Sequence, residues 1–248
     1  MLYTKEYIAK ALKGDYAYGA VVALNPAENL LASAIQAGMS VCVLVIRLLA
    51  KIPGISDLLE IFVRNYPRGA AGFFLRGAYF SAKVGNMGKN VLIDLGVTIW
   101  NPKNLSIGDF SHIDTNVKIE ASDAVTIGSY VHIASNVLLQ GRGTLAIEDY
   151  ADIAAGSLIY SGVNHYTDGQ TNRYYEMSSC APADKQFVRY APVRIGKSAF
   201  VGLNSVVMPG VSIGEGAIVG ACSFVNSDIP PYKIAVGAPA KVLKDRPH

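Results

Sequence analysis

The chain has 248 residues, with 22 basic against 19 acidic side chains, a formal charge of +3 and a pI near 8.6. So small a charge gives no electrostatic basis for nucleic-acid binding. Apolar residues make up 51% and charged ones 17%, with a mean hydropathy of +0.28, so burial between subunits or at a membrane is expected. The three cysteines, Cys42, Cys180 and Cys222, form no Cys-x-x-Cys pair and suit a reducing compartment.

The opening residues, MLYTKEYIAKALKGDY, are polar and mixed in charge, and are not read as a cleavable leader. Residues 1–85 read as a helical region. Asn25-Pro26-Ala27-Glu28 combines a cap, a proline in the first turn and a glutamate three residues after the cap, predicting a helix over 26–51. Ile52-Pro53-Gly54 stops it. A second helix is expected over 57–65, capped by Ser56, and a third over 73–80.

The first helix is apolar nearly all round, LLASAIQAGMSVCVLVIRLLA. Nearby, Arg47, Lys51, Arg64, Arg68, Arg76 and Lys83 outnumber Asp57 and Glu60. Leu30–Ala50 is long enough to cross a bilayer, but Gln36, Arg47 and the short amphipathic helix that follows fit an interfacial element better. Two readings therefore stand. Residues 26–80 contact a membrane surface, with basic groups at anionic headgroups, or they cap an open end of the domain that follows.

From Met87 every sixth residue is aliphatic: Met87, Ile93, Ile99; Ile107, Ile113, Ile119; Ile127, Ile133, Leu139; Ile147, Ile153, Ile159. After a gap the series resumes with Ile195, Val201, Val207; Ile213, Val219, Val225. Four residues after most anchors stand small or β-branched side chains such as Val91, Ser111, Val131, Ser157 and Ala217. A helix cannot keep every sixth position apolar, and glycine is too frequent for one. Hexad periodicity predicts a mainly β fold, a parallel β-helix of about six coils over 86–228, in which each hexad is a short strand plus a corner. Parallel crossovers usually run right-handed, so spacing alone does not give the hand.

The hexads pause between Ile159 and Ile195, which places an inserted loop at 163–191. A long loop leaving a rigid solenoid is usually functional. This one carries His165, Tyr166, Asp168, Arg173, Tyr174, Tyr175, Arg189 and Tyr190, groups suited to a polar, ring-shaped ligand. Twenty-residue spacing stacks His112, His132 and Asp152 in one column, which continues to Phe200. The column reads either as solvated stacking or as part of a ligand site. Phe110, Tyr130 and Tyr150 form a second column, read as aromatic stacking that stiffens an edge or packs between subunits.

Residues 192–244 read PVRIGKSAFVGLNSVVMPGVSIGEGAIVGACSFVNSDIPPYKIAVGAPAKVLK. This resembles the end of the hexapeptide-repeat, left-handed β-helix O-acetyltransferases that modify sugars, polysaccharides and xenobiotics. Met87–Tyr160 matches more loosely, through the hexads alone. Departures are Phe200 for the usual tryptophan, Gly220-Ala221-Cys222-Ser223 for the usual Gly-Ala-Gly-Ser, and Asn226 where threonine is common.

The resemblance implies a left-handed helix, a homotrimer, acetyl-CoA as donor, a saccharide acceptor and an active site between neighbouring prisms. It matches His165 to the family's general base, although one residue later than the common spacing. A sugar hydroxyl is too weakly acidic to attack a thioester unaided, which is the chemistry that requires such a base. The resemblance also places Gly202, Leu203 and Ala221 along the pantetheine, with small residues keeping the groove open. It puts Asn226 and Ser227 at the next donor contacts, and Lys241 and Lys244, in a tail over 229–248, at the CoA phosphates. His112, His132, Asp152, Tyr166, Arg173 and Phe200 are candidates for acceptor binding.

No metal is expected, because the paired histidines of the β-helical carbonic anhydrases, with four residues between them, are absent. Serine acetyltransferase is disfavoured because its glycine-rich loop with an Asp-Arg-His run is missing. Acyl-carrier-protein-dependent transfer and a non-enzymatic scaffold are the remaining alternatives. The expected location is the cytoplasm, peripheral to the inner face of the membrane.

Overall fold

Hexads built on stiff, branched aliphatics form flat strands, and the turn after each anchor bends the chain to the next face. The computed structural model describes residues 2–12, 24–171 and 173–247, and within them the repeat is a three-faced parallel solenoid. The first face stacks six strands, from Asn86–Met87 to Ser212–Ile213. The second face begins at Leu92–Ile93, and the third runs from Thr98–Trp100 to Phe224–Val225.

The anchors stack in the expected register. Ile93, Ile113, Ile133, Ile153, Val201 and Val219 form one column. Ile99, Ile119, Leu139, Ile159, Val207 and Val225 form another. Most are fully buried and make up one continuous core. The buried serines of the small positions are satisfied by the neighbouring coil: Ser111, Ser157 and Ser205 donate to Gly128 O, Gly202 O and Gly220 O at 2.7, 2.9 and 3.0 Å. This leaves no desolvated hydroxyl in the core at those positions.

The stack does not stop at Val225, where the sequence reading ended it. Lys233–Val236 adds a further parallel strand to the second face, and Ile229 bridges to Ile213 on the first. The prism therefore has about seven turns. The signal was hidden because a four-residue step, Val225 to Ile229, replaces the hexad there. The chain then folds back as Lys241–Asp245, antiparallel on that strand.

Among the described residues, four helices lie ahead of the prism: α1 (Lys5–Leu12), α2 (Pro26–Leu49), α3 (Ile55–Asn65) and α4 (Ala70–Lys83). The capping box at α2 forms as read, with Glu28 N donating to Asn25 Oδ1 at 2.9 Å and Asn25 N to Glu28 Oε2 at 3.1 Å. Ser56 is not a cap. It lies inside α3, buried, where its hydroxyl accepts from Lys83 Nζ at 2.6 Å, and α3 starts after Gly54 with no side-chain cap. Helix α1 carried no clear sequence signal.

The helical region supplies the coil that is missing beneath the first turn. The amides of Asn90 and Gly96, which in higher coils would donate downward, donate to Leu2 O and Arg64 O at 2.8 and 3.0 Å. The carbonyls of Val91 and Ile93 accept from Tyr3 Oη at 3.4 Å and Arg76 Nε at 2.8 Å. An open solenoid end thus gains hydrogen-bond partners instead of an exposed strand edge. The capping role falls to α4, the residues leading into α1 and the end of α3.

Candidate functional site

On the outer side of the second face the column Leu92, His112, His132, Asp152, Phe200 and Ile218 forms in register. Asp114, two residues after His112, stands on the same side. Its carboxylate lies between the two imidazoles, 3.1 Å from His112 Nε2 and 3.5 Å from His132 Nε2. The other ring nitrogen of His132 is 3.2 Å from Asp152 Oδ1. Facing a carboxylate at each nitrogen, His132 is a cation, its pKa pushed up to about 9 by the hydrogen bonds with Asp114 and Asp152. The same bond from His132 holds Asp114 below the usual carboxylate range. His112 is lowered by burial, with the Phe73 ring edge-on at 6.1 Å. One coil below, buried Asp94 accepts from Arg68 Nε at 2.6 Å. The column is thus an ion-paired ladder reaching up from the cap.

Ligand atoms of His112, Asp114 and His132 lie within 4.8 Å of one another, a donor set that a transition-metal cation accepts. As folded, the ladder is closed by its own ion pairs, and a cation would require His132 to give up its proton. Asp114 and Asp94 were not singled out from the sequence, although their twenty-residue spacing repeats that of the histidines. At the corner between the first and second faces, Phe110, Tyr130 and Tyr150 stack with ring centroids 4.9 and 5.1 Å apart.

The inserted loop leaves the corner between the third and first faces as an antiparallel pair, Gly162–Asn164 with Val188–Tyr190. It closes where Ala191 N donates to Ser161 O at 3.0 Å. His165 is the first residue past the pair, half-buried, with its amide donating to Phe187 O at 2.8 Å. Its Nδ1 lies 2.7 Å from Thr167 O. Thr167 N lies 3.3 Å from the same nitrogen, so the two contacts require opposite tautomers; the shorter one, to a carbonyl that only accepts, favours the proton on Nδ1 and a lone pair on Nε2 of the neutral ring. Tyr166 stacks on the imidazole at 4.8 Å.

Asp168 accepts from Thr171 N at 2.8 Å, Gln170 N at 2.9 Å and Tyr175 Oη at 3.0 Å, and these bonds, led by that from Thr171, hold it well below the usual carboxylate range. Arg173 donates to Asp184 O and lies over the Tyr175 ring. These two side chains brace the loop, and Arg173 stays exposed. The loop and the histidine ladder lie on different flanks of one protomer.

The expected donor residues divide between two edges of the third face. Leu203 and Ala221, both exposed, lie at the corner with the second face, and Asn226 and Ser227 lie at the corner from which the loop departs, two coils above it. Gly202 sits differently from its expected role. Its amide donates to Val219 O at 2.8 Å and its carbonyl accepts from Ser157. A Cβ there would stand 2.6 Å from Ala221 N, so glycine is required by the close approach of the next coil, not by an open groove. Lys241 and Lys244 are exposed, paired with Val236 and Ile234, and a bulge puts both on the outer side of the second face although they are three residues apart.

Residues 192–227 match a family described as the hexapeptide repeat of succinyl-transferase. AntD, an N-acyltransferase from Bacillus cereus solved with dTDP and 3-hydroxybutyryl-CoA, superposes with a TM-score of 0.60 at 32% identity, covering 66% of this chain and 85% of AntD. The chain belongs to the hexapeptide-repeat acetyltransferase family. The hexapeptide repeat carries the left-handed sense of the winding. A Staphylococcus aureus protein named as an acetyltransferase is 47% identical over 58 residues, 23% of this chain and 29% of that protein. One named as a macrolide acetyltransferase in Lysinibacillus sphaericus is 37% identical over 93 residues, 36% of this chain and 52% of that protein. The chain thus spans about half or less of the curated relatives' length.

Proposed function

We propose that this chain is an acetyl-CoA-dependent O-acetyltransferase that acylates a hydroxyl of a saccharide, a lipid-linked or surface-polysaccharide precursor. The observation that carries the reading is His165, whose Nδ1–H is engaged by Thr167 O at 2.7 Å so that Nε2 is left as a base. The acceptor hydroxyl gives its proton to Nε2 as its oxygen bonds to the thioester carbonyl carbon. The tetrahedral oxyanion is met by backbone N–H donors, then collapses, and the C–S bond breaks. The departing CoA sulfur takes the proton back from the imidazolium.

The amides of Leu203 and Ala221 are offered to the pantetheine, Asn226 and Ser227 to the next stretch of the donor, and Lys241 and Lys244 to its phosphates. These contacts lie on the two edges of the third face and, for the lysines, on the second face, which supports a homotrimer whose sites lie in the clefts between prisms. Among acceptor candidates, exposed Tyr166 beside His165 is the most direct. Phe200 and the ladder of His112, His132 and Asp152 would serve only from a neighbouring protomer.

A second reading has one specific support. AntD is recorded with dTDP-4-amino-4,6-dideoxyglucose and coenzyme A, which points to an amino sugar. The deciding experiment offers neutral and amino saccharides and nucleotide sugars to the purified chain with acetyl-CoA, and follows thiol release. The product is then treated with hydroxylamine. An ester is cleaved, as O-acetylation requires; a resistant amide would replace this reading with N-acetylation.

A further inference from the structure

Helix α2 turns only a narrow stripe toward the body. Ala32, Gln36, Val43, Ile46 and the capping Ala50 are buried at helical spacing, against α1 and α4, and Gln36 Nε2 donates to Tyr3 O at 2.7 Å. At about 100° per residue, Leu30, Val41, Leu44, Val45 and Leu48 point the opposite way. All five are exposed, Leu30 to 74% and Leu44 to 60%. Leu31 and Leu49, exposed as well, widen the apolar sector on one flank. Helix α3 repeats the arrangement, with Ser56 and Val63 buried and Ile55, Leu58, Ile61 and Phe62 exposed. Both helices pack on α4, so both outer ridges face away from it.

We propose that α2 and α3 lie in the plane of a lipid bilayer carrying anionic headgroups. Their outer ridges enter the acyl boundary, and Arg47 and Lys51 sit among the headgroups. Three observations select this occupant. The stretch from Leu30 to Ile46 contains no charged residue, and where it ends basic Lys51 stands exposed beside Arg47, also exposed, whose Nε donates to Ser81 Oγ of α4 at 3.1 Å. The apolar exposure wraps more than one side of α2, which a surrounding lipid phase covers and a single docked surface does not. Helix α2 is long and apolar enough to cross a membrane, but its buried stripe runs to Ala50 and holds it to the body, so it lies in the interface and does not span.

The proposal does not depend on the acyl-transfer reading. It is tested with the full chain by co-sedimentation with vesicles of phosphatidylethanolamine and phosphatidylglycerol, with phosphatidylcholine vesicles as the neutral arm, and by light scattering of the protein alone. The chain is expected to sediment with the anionic vesicles and to be partly released by salt. The pairs Leu44→Ser with Leu48→Ser, and Ile61→Ser with Phe62→Ser, should each weaken binding by roughly tenfold or more. Circular dichroism and melting of both pairs should stay as in the wild type, since these side chains face solvent. Wild-type protein remaining in the supernatant, or variants sedimenting like it, would overturn the proposal. So would ridge substitutions that only dissociate an oligomer, which would assign the face to a second copy of the chain.

Discussion

Raising the pH perturbs the ladder on the second face directly, because His132 is held up to about 9 against an unfolded value of 6.5. A raised folded-state pKa contributes stability that is fully present below pH 6.5 and is lost as the pH climbs through about 9. Without screening, a shift of this size would amount to about 3 kcal/mol. The side chains of His132 and Asp152 are 42% and 44% exposed, so the contribution falls to about 1 kcal/mol. Asp114 and His112 act in the opposite window. Both are lowered, so their contributions are present at neutral pH and are lost on acidification. Denaturant unfolding of wild type and His132→Gln near pH 7 and near pH 10, with the imidazole followed by NMR, is the assay. The wild type should lose about 1 kcal/mol more than the variant across that interval, and the His132 resonance should titrate near 9. A resonance titrating at the ordinary histidine value, or identical pH dependence in the two proteins, would refute the ladder as drawn.

Gly202→Ala should lower stability by roughly 1–3 kcal/mol by overpacking, because the new methyl would stand 2.6 Å from Ala221 N; thermal melting reports it. Ile133→Ala, at a fully buried anchor in mid-prism, should cost roughly 2–5 kcal/mol in denaturant unfolding. Removing both Lys241 and Lys244 should raise KM for acetyl-CoA by roughly 2- to 10-fold with kcat retained, since exposed phosphate contacts are each worth about 1 kcal/mol or less; steady-state kinetics on the doubly substituted chain tests it.

The prism was legible because its signal is periodic. Every anchor from Ile93 to Val225 sits in the register that six-residue counting assigns, and the column from His112 to Phe200 follows from the same count. What escaped depended on contacts between distant segments. Ser56 has the chemistry of a cap, but Lys83 and Tyr79 claim its hydroxyl. Arg173 was read as an acceptor candidate, and its bracing of its own loop through Asp184 O and Tyr175 was not visible in the sequence. Asp114 acquires meaning only when its carboxylate falls between two imidazoles from adjacent coils. The strand Lys233–Val236 was missed because a four-residue step, Val225 to Ile229, shifts the count, although Ile229 to Ala235 is again six residues. The position of His165 was legible from the break in the repeat, but its tautomer was not, since that depends on the fold of the loop around Thr167 O.

In the proposed reaction Nε2 of His165 takes the acceptor's proton. The most direct measurement is acetyl-CoA-dependent thiol release by His165→Ala beside wild type, with the acceptor found active and with melting temperatures compared. The account predicts an unchanged melting temperature and a fall in kcat of roughly 10²- to 10⁴-fold, the range for loss of a general base. A folded His165→Ala protein that turns over at the wild-type rate would contradict it.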